Sequence, residues 1–184
     1  GWLSQNFPYV TLKRYLENTG YSVHLTNFGW HTGDIKKDAH KLKDFLERNN
    51  LRGAVLIGAS LGALISLFYL QRLGGWKRVN KFISIGGPFY GSPAAHLAAW
   101  FSQSAQQMIP GSKFLTSLIS KVKITKKIIC ISAEFDELVP KNSSYLIGSK
   151  HIIVDVIGHL NLQFSQKTFR TIETELTPIA LSAP

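Results

Sequence analysis

The chain has 184 residues, 45% of them hydrophobic and 17% charged, with a formal net charge of +10 and one cysteine. That balance suits one compact domain with a sizeable core, and the lone Cys130 excludes an intramolecular disulfide framework. No apolar run reaches the roughly 18–20 residues of a membrane-spanning helix.

In chain order, residues 8–18 read as a helix, with Leu12, Tyr15 and Leu16 on one face and Gly20 as its stop. Residues 21–28 read as a strand. Asp34 is a good N-cap for a helix running to about Asn49, with Ile35, Leu42, Phe45 and Leu46 as its apolar positions. Residues 54–57 form a buried-strand pattern, and 61–70 an apolar helix pattern ending near Gly74-Gly75. Residues 81–85 read as a strand closed by Gly86-Gly87-Pro88. Strands at 127–133 and 151–157 and a final helix at 160–176 complete the series. Strands alternating with helices predict an α/β fold, a mostly parallel central sheet flanked by helices. No repeat or linker divides residues 1–184, which therefore read as a single domain. The stretch 88–125 breaks the usual rule of short connections. Its apolar patterns at 94–109 and 114–119 predict small helices, as a lid or cap insertion or as extra cover for the core.

The apolar run 53–62 ends in G-x-S-x-G at Gly58, Ser60 and Gly62. In such an elbow the serine sits on a sharp strand-to-helix turn that holds its hydroxyl out at the end of the sheet. Glycines on either flank are expected to relieve crowding there. The plainer alternative makes Ser60 a helix N-cap.

A serine hydroxyl is a poor nucleophile and needs a general base, usually His, oriented by a carboxylate. In this arrangement the chain order is Ser, then Asp or Glu, then His. The order is present at strand ends, with Glu134-Phe135-Asp136-Glu137-Leu138-Val139-Pro140 after one strand and Gly158-His159-Leu160 after the next. Catalytic groups belong at the carboxyl ends of parallel strands, where Ser60, Asp136 and His159 all fall. Asp136 has an Asx-turn reading as an alternative, and Glu134 competes as the orienting acid. His151 begins its strand, at the opposite end; His24, His31, His40 and His96 precede Asp136, in the wrong order. Asp155 lies within a strand and suits a sheet or edge position. The group His31, Asp34, Asp38 and His40 does not fall on one helix face, so no metal is assigned to it.

Cys130, inside the apolar run 128–131, reads as a buried core thiol. The basic residues are scattered, denser at Lys121, Lys123, Lys126 and Lys127 and without interleaved aromatics, so no nucleic-acid partner is expected. They serve either as a solvated face or to attract an anionic membrane surface. The chain begins with Gly1, no signal peptide is visible, and its compartment stays open.

Taken together these motifs resemble those of α/β-hydrolases of the small bacterial lipase and esterase type. Gly58-Ala59-Ser60-Leu61-Gly62 resembles the nucleophile elbow, although the family more often has His at the place of Ala59. Residues 82–88 with Gly91-Ser92-Pro93 resemble the strand-six segment, Asp136 with Val139-Pro140 the acid loop, and Gly158-His159-Leu160 the histidine loop. The resemblance implies a serine carboxylic-ester hydrolase needing no cofactor and acting on a small-molecule or lipid ester. It implies an oxyanion hole built by the amides of Leu61 and Trp2. The apolar residues near the expected mouth are Trp2, Leu3, Phe89, Leu138, Val139 and Leu160, joined by Trp100, Phe101 and Met108 of the long connection; ordinary core is the equal alternative for them. Gly1-Trp2 resembles the segment after the family's strand three, which pairs beside the elbow strand. A preceding apolar strand ending in His-Gly is therefore expected to complete the sheet; direct pairing of strands 21–28 and 54–57 would refute this.

Overall fold

The computed structural model describes residues 7–26, 32–120, 122 and 124–180. Four strands form one parallel sheet in the order β1 (Ala54–Ala59), β2 (Val79–Ile85), β3 (Ile128–Phe135) and β4 (Lys150–Ile157). Parallel pairing needs a crossover between neighbours. Helices α1 (Phe7–Asn18) and α2 (Ile35–Arg48) precede β1, and α3 (Leu61–Arg72) crosses from β1 to β2. Helices α4 (Gln103–Met108) and α5 (Lys113–Ile119) lie between β2 and β3, and a short 3-10 turn at Lys141–Ser143 lies between β3 and β4. Helices α6 (His159–Phe164) and α7 (Gln166–Ala180) follow β4.

Alternation along the strands divides the core between the two faces of the sheet. On one face Phe82, Ile128 and Cys130 pack with Leu42, Leu64 and Leu67 from α2 and α3. On the other, Ile83, Ile85, Ile129, Ile131 and Ala133 pack with Leu12 and Leu16 of α1, Leu162 of α6, and Phe169 and Ile172 of α7. The central strands are covered on both faces, which is why β3 reads as a continuous apolar run rather than an alternating one. Cys130 is fully buried, and that burial pushes its thiol pKa up.

Two expected elements differ. Residues 21–26 carry no strand, and those at 27–31 lie outside the described residues. A strand needs a ladder partner, and β1 pairs only with β2 among the described residues. Residues 21–26 and β1 therefore do not pair with each other. Ala54–Ile57 of β1 are only half-buried, as an edge strand would be. The expected single helix over 160–176 is two helices. Ser165 is extended (ψ 133°), and its hydroxyl accepts from Lys167 N at 3.1 Å, starting α7 afresh.

The connection 88–125 does form small helices. Ala105, Met108, Leu115 and Leu118 are buried against the core. Leu97 and Trp100 are more than 80% exposed, and Phe101 is also exposed. Met108 thus belongs to the core rather than to an apolar mouth. No helix among the described residues is long and apolar enough to cross a membrane.

Candidate active site

Ser60 lies between β1 and α3 with φ 51° and ψ −124°, a left-handed backbone uncommon for any residue but glycine. Holding it costs on the order of 1–3 kcal/mol. The turn is pinned because Ser60 N donates to Ile85 O of β2 at 2.9 Å. The hydroxyl makes no capping bond to α3, so the N-cap alternative lacks the contact that would define it. Gly58 is required here, since an added Cβ would stand 2.7 Å from Gly62 O and 2.8 Å from Ser66 Oγ. Gly62 is different: a Cβ there meets no atom within 4 Å. Crowding acts on the β1 flank of the Ser60 turn, not on the helix flank.

Asp136 follows β3, and its two carboxylate oxygens do separate work. Oδ1 accepts from Leu138 N at 2.9 Å and Val139 N at 2.8 Å, shaping the turn. Oδ2 accepts from His159 Nδ1 at 2.7 Å. The Asx-turn and ring-orienting readings therefore both describe this residue. The two side chains are 3% and 4% exposed, so this hydrogen bond is made away from water. Glu134, the competing acid, is instead paired with Lys141 at 3.0 Å.

His159 opens α6 directly after β4, and Gly158 (φ 102°) makes the turn into it. Two neighbours fix the residue that sequence reasoning did not single out. Glu137 Oε2 accepts from His159 N at 2.9 Å. Gly86 (φ 56°) lies against the ring, and a Cβ there would stand 3.1 Å from His159 Cε1. The only sequence signal for Glu137 was its place beside Asp136; for Gly86 it was the Gly-Gly-Pro that closes β2.

Ser60 and His159 thus meet at one strand end, the first bonded to Ile85 and the second lying over Gly86. Among the described residues the Ser60 hydroxyl and the His159 ring are not hydrogen-bonded to each other. Such contacts are often long before substrate binds. Leu61 is the first residue of α3, where helical amides have no intrahelical acceptor. Trp2 and Leu3 lie outside the described residues. Of the other expected mouth residues, Leu138 and Leu160 are exposed, at 38% and 57%. Phe89 and Val139 are buried at 0% and 2%. Phe89 packs in the core, with its amide donating to Ser143 O at 2.9 Å.

The remaining titratable groups lie elsewhere. His151 sits at the amino end of β4, bonded to Ser132 Oγ at 2.7 Å and stacked on Tyr145. Burial, then the charge of Lys141, lowers its pKa. Asp155 is exposed and paired with Lys167, whose hydrogen bond lowers the carboxyl pKa. Asp34 caps α2 and also accepts from Gln107 Nε2 at 2.7 Å, and Asp38 pairs with Lys41. No group of His, Cys, Asp and Glu among the described residues is arranged to hold a metal ion.

The parallel sheet, the flanking helices and the strand-end turns are those of the α/β-hydrolase fold. Solved structures agree. The lipase BlEst2 of Bacillus licheniformis in its propeptide form superposes with a TM-score of 0.74 at 16% identity, over 96% of this chain and 47% of that one. The chain thus spans about half the length of that form. An esterase from Exiguobacterium antarcticum gives a TM-score of 0.69 at 16% identity, over 96% of this chain and 89% of that one. A monoacylglycerol lipase from Paleococcus ferrophilus gives 0.71 at 11% identity, over 97% and 91%. Residues 3–156 match the model of the family described as lecithin:cholesterol acyltransferase, and the chain belongs to that family. No curated protein matches it in sequence.

Proposed function

We propose that the protein is a serine hydrolase that cleaves carboxylic esters, lipid or lipid-like, through an acyl-enzyme on Ser60. The observation that carries this reading is the buried Asp136–His159 hydrogen bond of 2.7 Å, at the strand end where the strained Ser60 turn lies. In this mechanism Ser60 Oγ attacks the ester carbonyl while His159 Nε2 takes its proton. Asp136 holds the ring with Nδ1 protonated and offsets the positive charge that develops on it. The Leu61 amide donates to the oxyanion, with Trp2 as the expected second donor. His159 returns the proton to the leaving alcohol, and water activated by the same ring releases the acid. No cofactor is required.

A fluorophosphonate probe tests the reading. The protein is expected to be labelled and Ser60→Ala is not. Absence of labelling in the natural full-length product overturns the reading and leaves a non-catalytic binding protein. The lipid preference is supported by exposed Leu138 and Leu160 flanking Asp136 and His159. Faster turnover of short water-soluble esters than of long-chain ones would overturn it.

Acyl transfer is the second reading, favoured by the family to which the chain belongs. The same acyl-enzyme would pass its acyl group to an alcohol. Product analysis with a competing alcohol separates the two. The net charge of +10 supports attraction to an anionic membrane surface. Equal binding to liposomes with and without anionic lipid would overturn that attraction.

A further inference from the structure

A concavity lies away from the Ser60 turn, between the start of α2, the end of α3, and α5. It is a cavity of about 310 Å³ lined by Lys36, Phe68, Arg72, Lys113, Phe114, Ser117 and Leu118. Small-ligand sites begin at about this size. Phe68 and Arg72 stand eight and twelve residues beyond Ser60 on the chain. At about 1.5 Å per helical residue, the Arg72 Cα lies roughly 18 Å along α3 from Ser60.

Its chemistry is one-sided. Three cationic side chains line it and no carboxylate does. Among the described residues neither the Lys36 nor the Lys113 ammonium has an acceptor in hydrogen-bond range. All three cationic side chains are exposed, and an anion bound among them would be attracted by each. Arg72 is already oriented, since its Nη2 donates to Ser117 O at 2.6 Å. A guanidinium fixed in this way loses less freedom on meeting an anion. The floor is apolar: the Phe68 and Phe114 rings stack at 6.0 Å and 17°, and Leu118 is buried beside them. Charged heads above an aromatic floor suit a ligand that is itself anionic at one end and apolar at the other.

We infer that this cavity binds an anionic amphiphile, a carboxylate or phosphate carrying a short apolar tail. The inference is independent of the esterase reading, because no residue of the cavity belongs to the Ser60 site. Binding of monomeric decyl phosphate and decanoate, followed by calorimetry on the full chain, tests it. Both are expected to bind with one-to-one saturation. Arg72→Gln/Lys113→Gln is expected to bind them at least about tenfold more weakly, as loss of two charge contacts implies. Fluorophosphonate labelling of Ser60 in that variant is expected to be unchanged. Half-molar salt should weaken binding to the unaltered chain as well. If vesicles containing phosphatidic acid bind, the soluble anions do not, and the double variant abolishes vesicle binding, the source of the anion is a lipid headgroup. The inference is overturned if neither soluble amphiphile nor the phosphatidic acid vesicles bind, if decanol binds as tightly as decyl phosphate, if inorganic phosphate alone does so, or if the double variant binds as tightly as the parent.

Discussion

Asp136 carries two structural duties with one carboxylate, and its amide variant separates them. Asp136→Asn keeps an oxygen for the Leu138 and Val139 amides. It places either a donor against His159 Nδ1 or the wrong tautomer on the ring. On the esterase reading kcat is expected to fall by about 10³–10⁴ with little change in melting temperature. Glu137 acts one step further out, on the His159 backbone. Glu137→Ala removes the acceptor of that amide and is expected to lower kcat about tenfold, through loss of ring placement. Glu137→Gln keeps an oxygen in reach and is expected to recover most of it. Gly86→Ala puts a Cβ 3.1 Å from His159 Cε1 and 3.3 Å from Leu162 Cδ2, at a φ of 56°. It should cost about 1–3 kcal/mol and lower kcat as well, read by thermal unfolding and ester turnover.

Secondary elements show where local sequence was sufficient. Asp34 was legible as a cap, and the α2 that follows it starts and stops where its apolar spacing and cap place it. Asp34→Ala removes the bonds from Lys36 N and from Gln107 Nε2 of α4, leaving the Ile35 amide bonded to Gln107 Oε1. A loss of about 1–2 kcal/mol is expected, or a fall in melting temperature of roughly 2–8 °C for a chain of this size. Over residues 21–26 the expected strand was misread for a physical reason. Strand propensity describes a side-chain pattern, but a strand exists only with a neighbour to complete its ladder. The pattern at 160–176 hid its break because Ser165 interrupts the backbone without interrupting the apolar period.

Across the molecule, acid sensitivity is expected to trace in part to His151, far from Ser60. Its folded pKa lies below the ordinary 6.5 because burial disfavours the imidazolium. As pH falls below about 6.5 the unfolded chain takes up this proton more readily than the folded one, so stability falls. It levels off once pH is below the folded value. His151→Phe, which retains a ring against Tyr145, is expected to flatten that part of the decline. Denaturant midpoints measured from pH 7.5 downward would check this, and an unchanged slope would contradict it.

Chain order and strand-end position made Ser60, Asp136 and His159 legible, because parallel strands carry their loops to one end whatever the side chains between. The parallel α/β class was legible from alternation for the same reason. Tertiary structure decided which acid meets the histidine: Glu134, still within β3, pairs with Lys141, while Asp136, just past the strand end, reaches His159. It decided that Phe89 and Val139 belong to the core while Leu138 and Leu160 face solvent, because burial depends on what folds over a residue rather than on its apolarity. It also brought Lys36, Arg72 and Lys113 around one cavity. No local pattern links residues so far apart in the chain; only the packing of α2 and α5 beside α3 does.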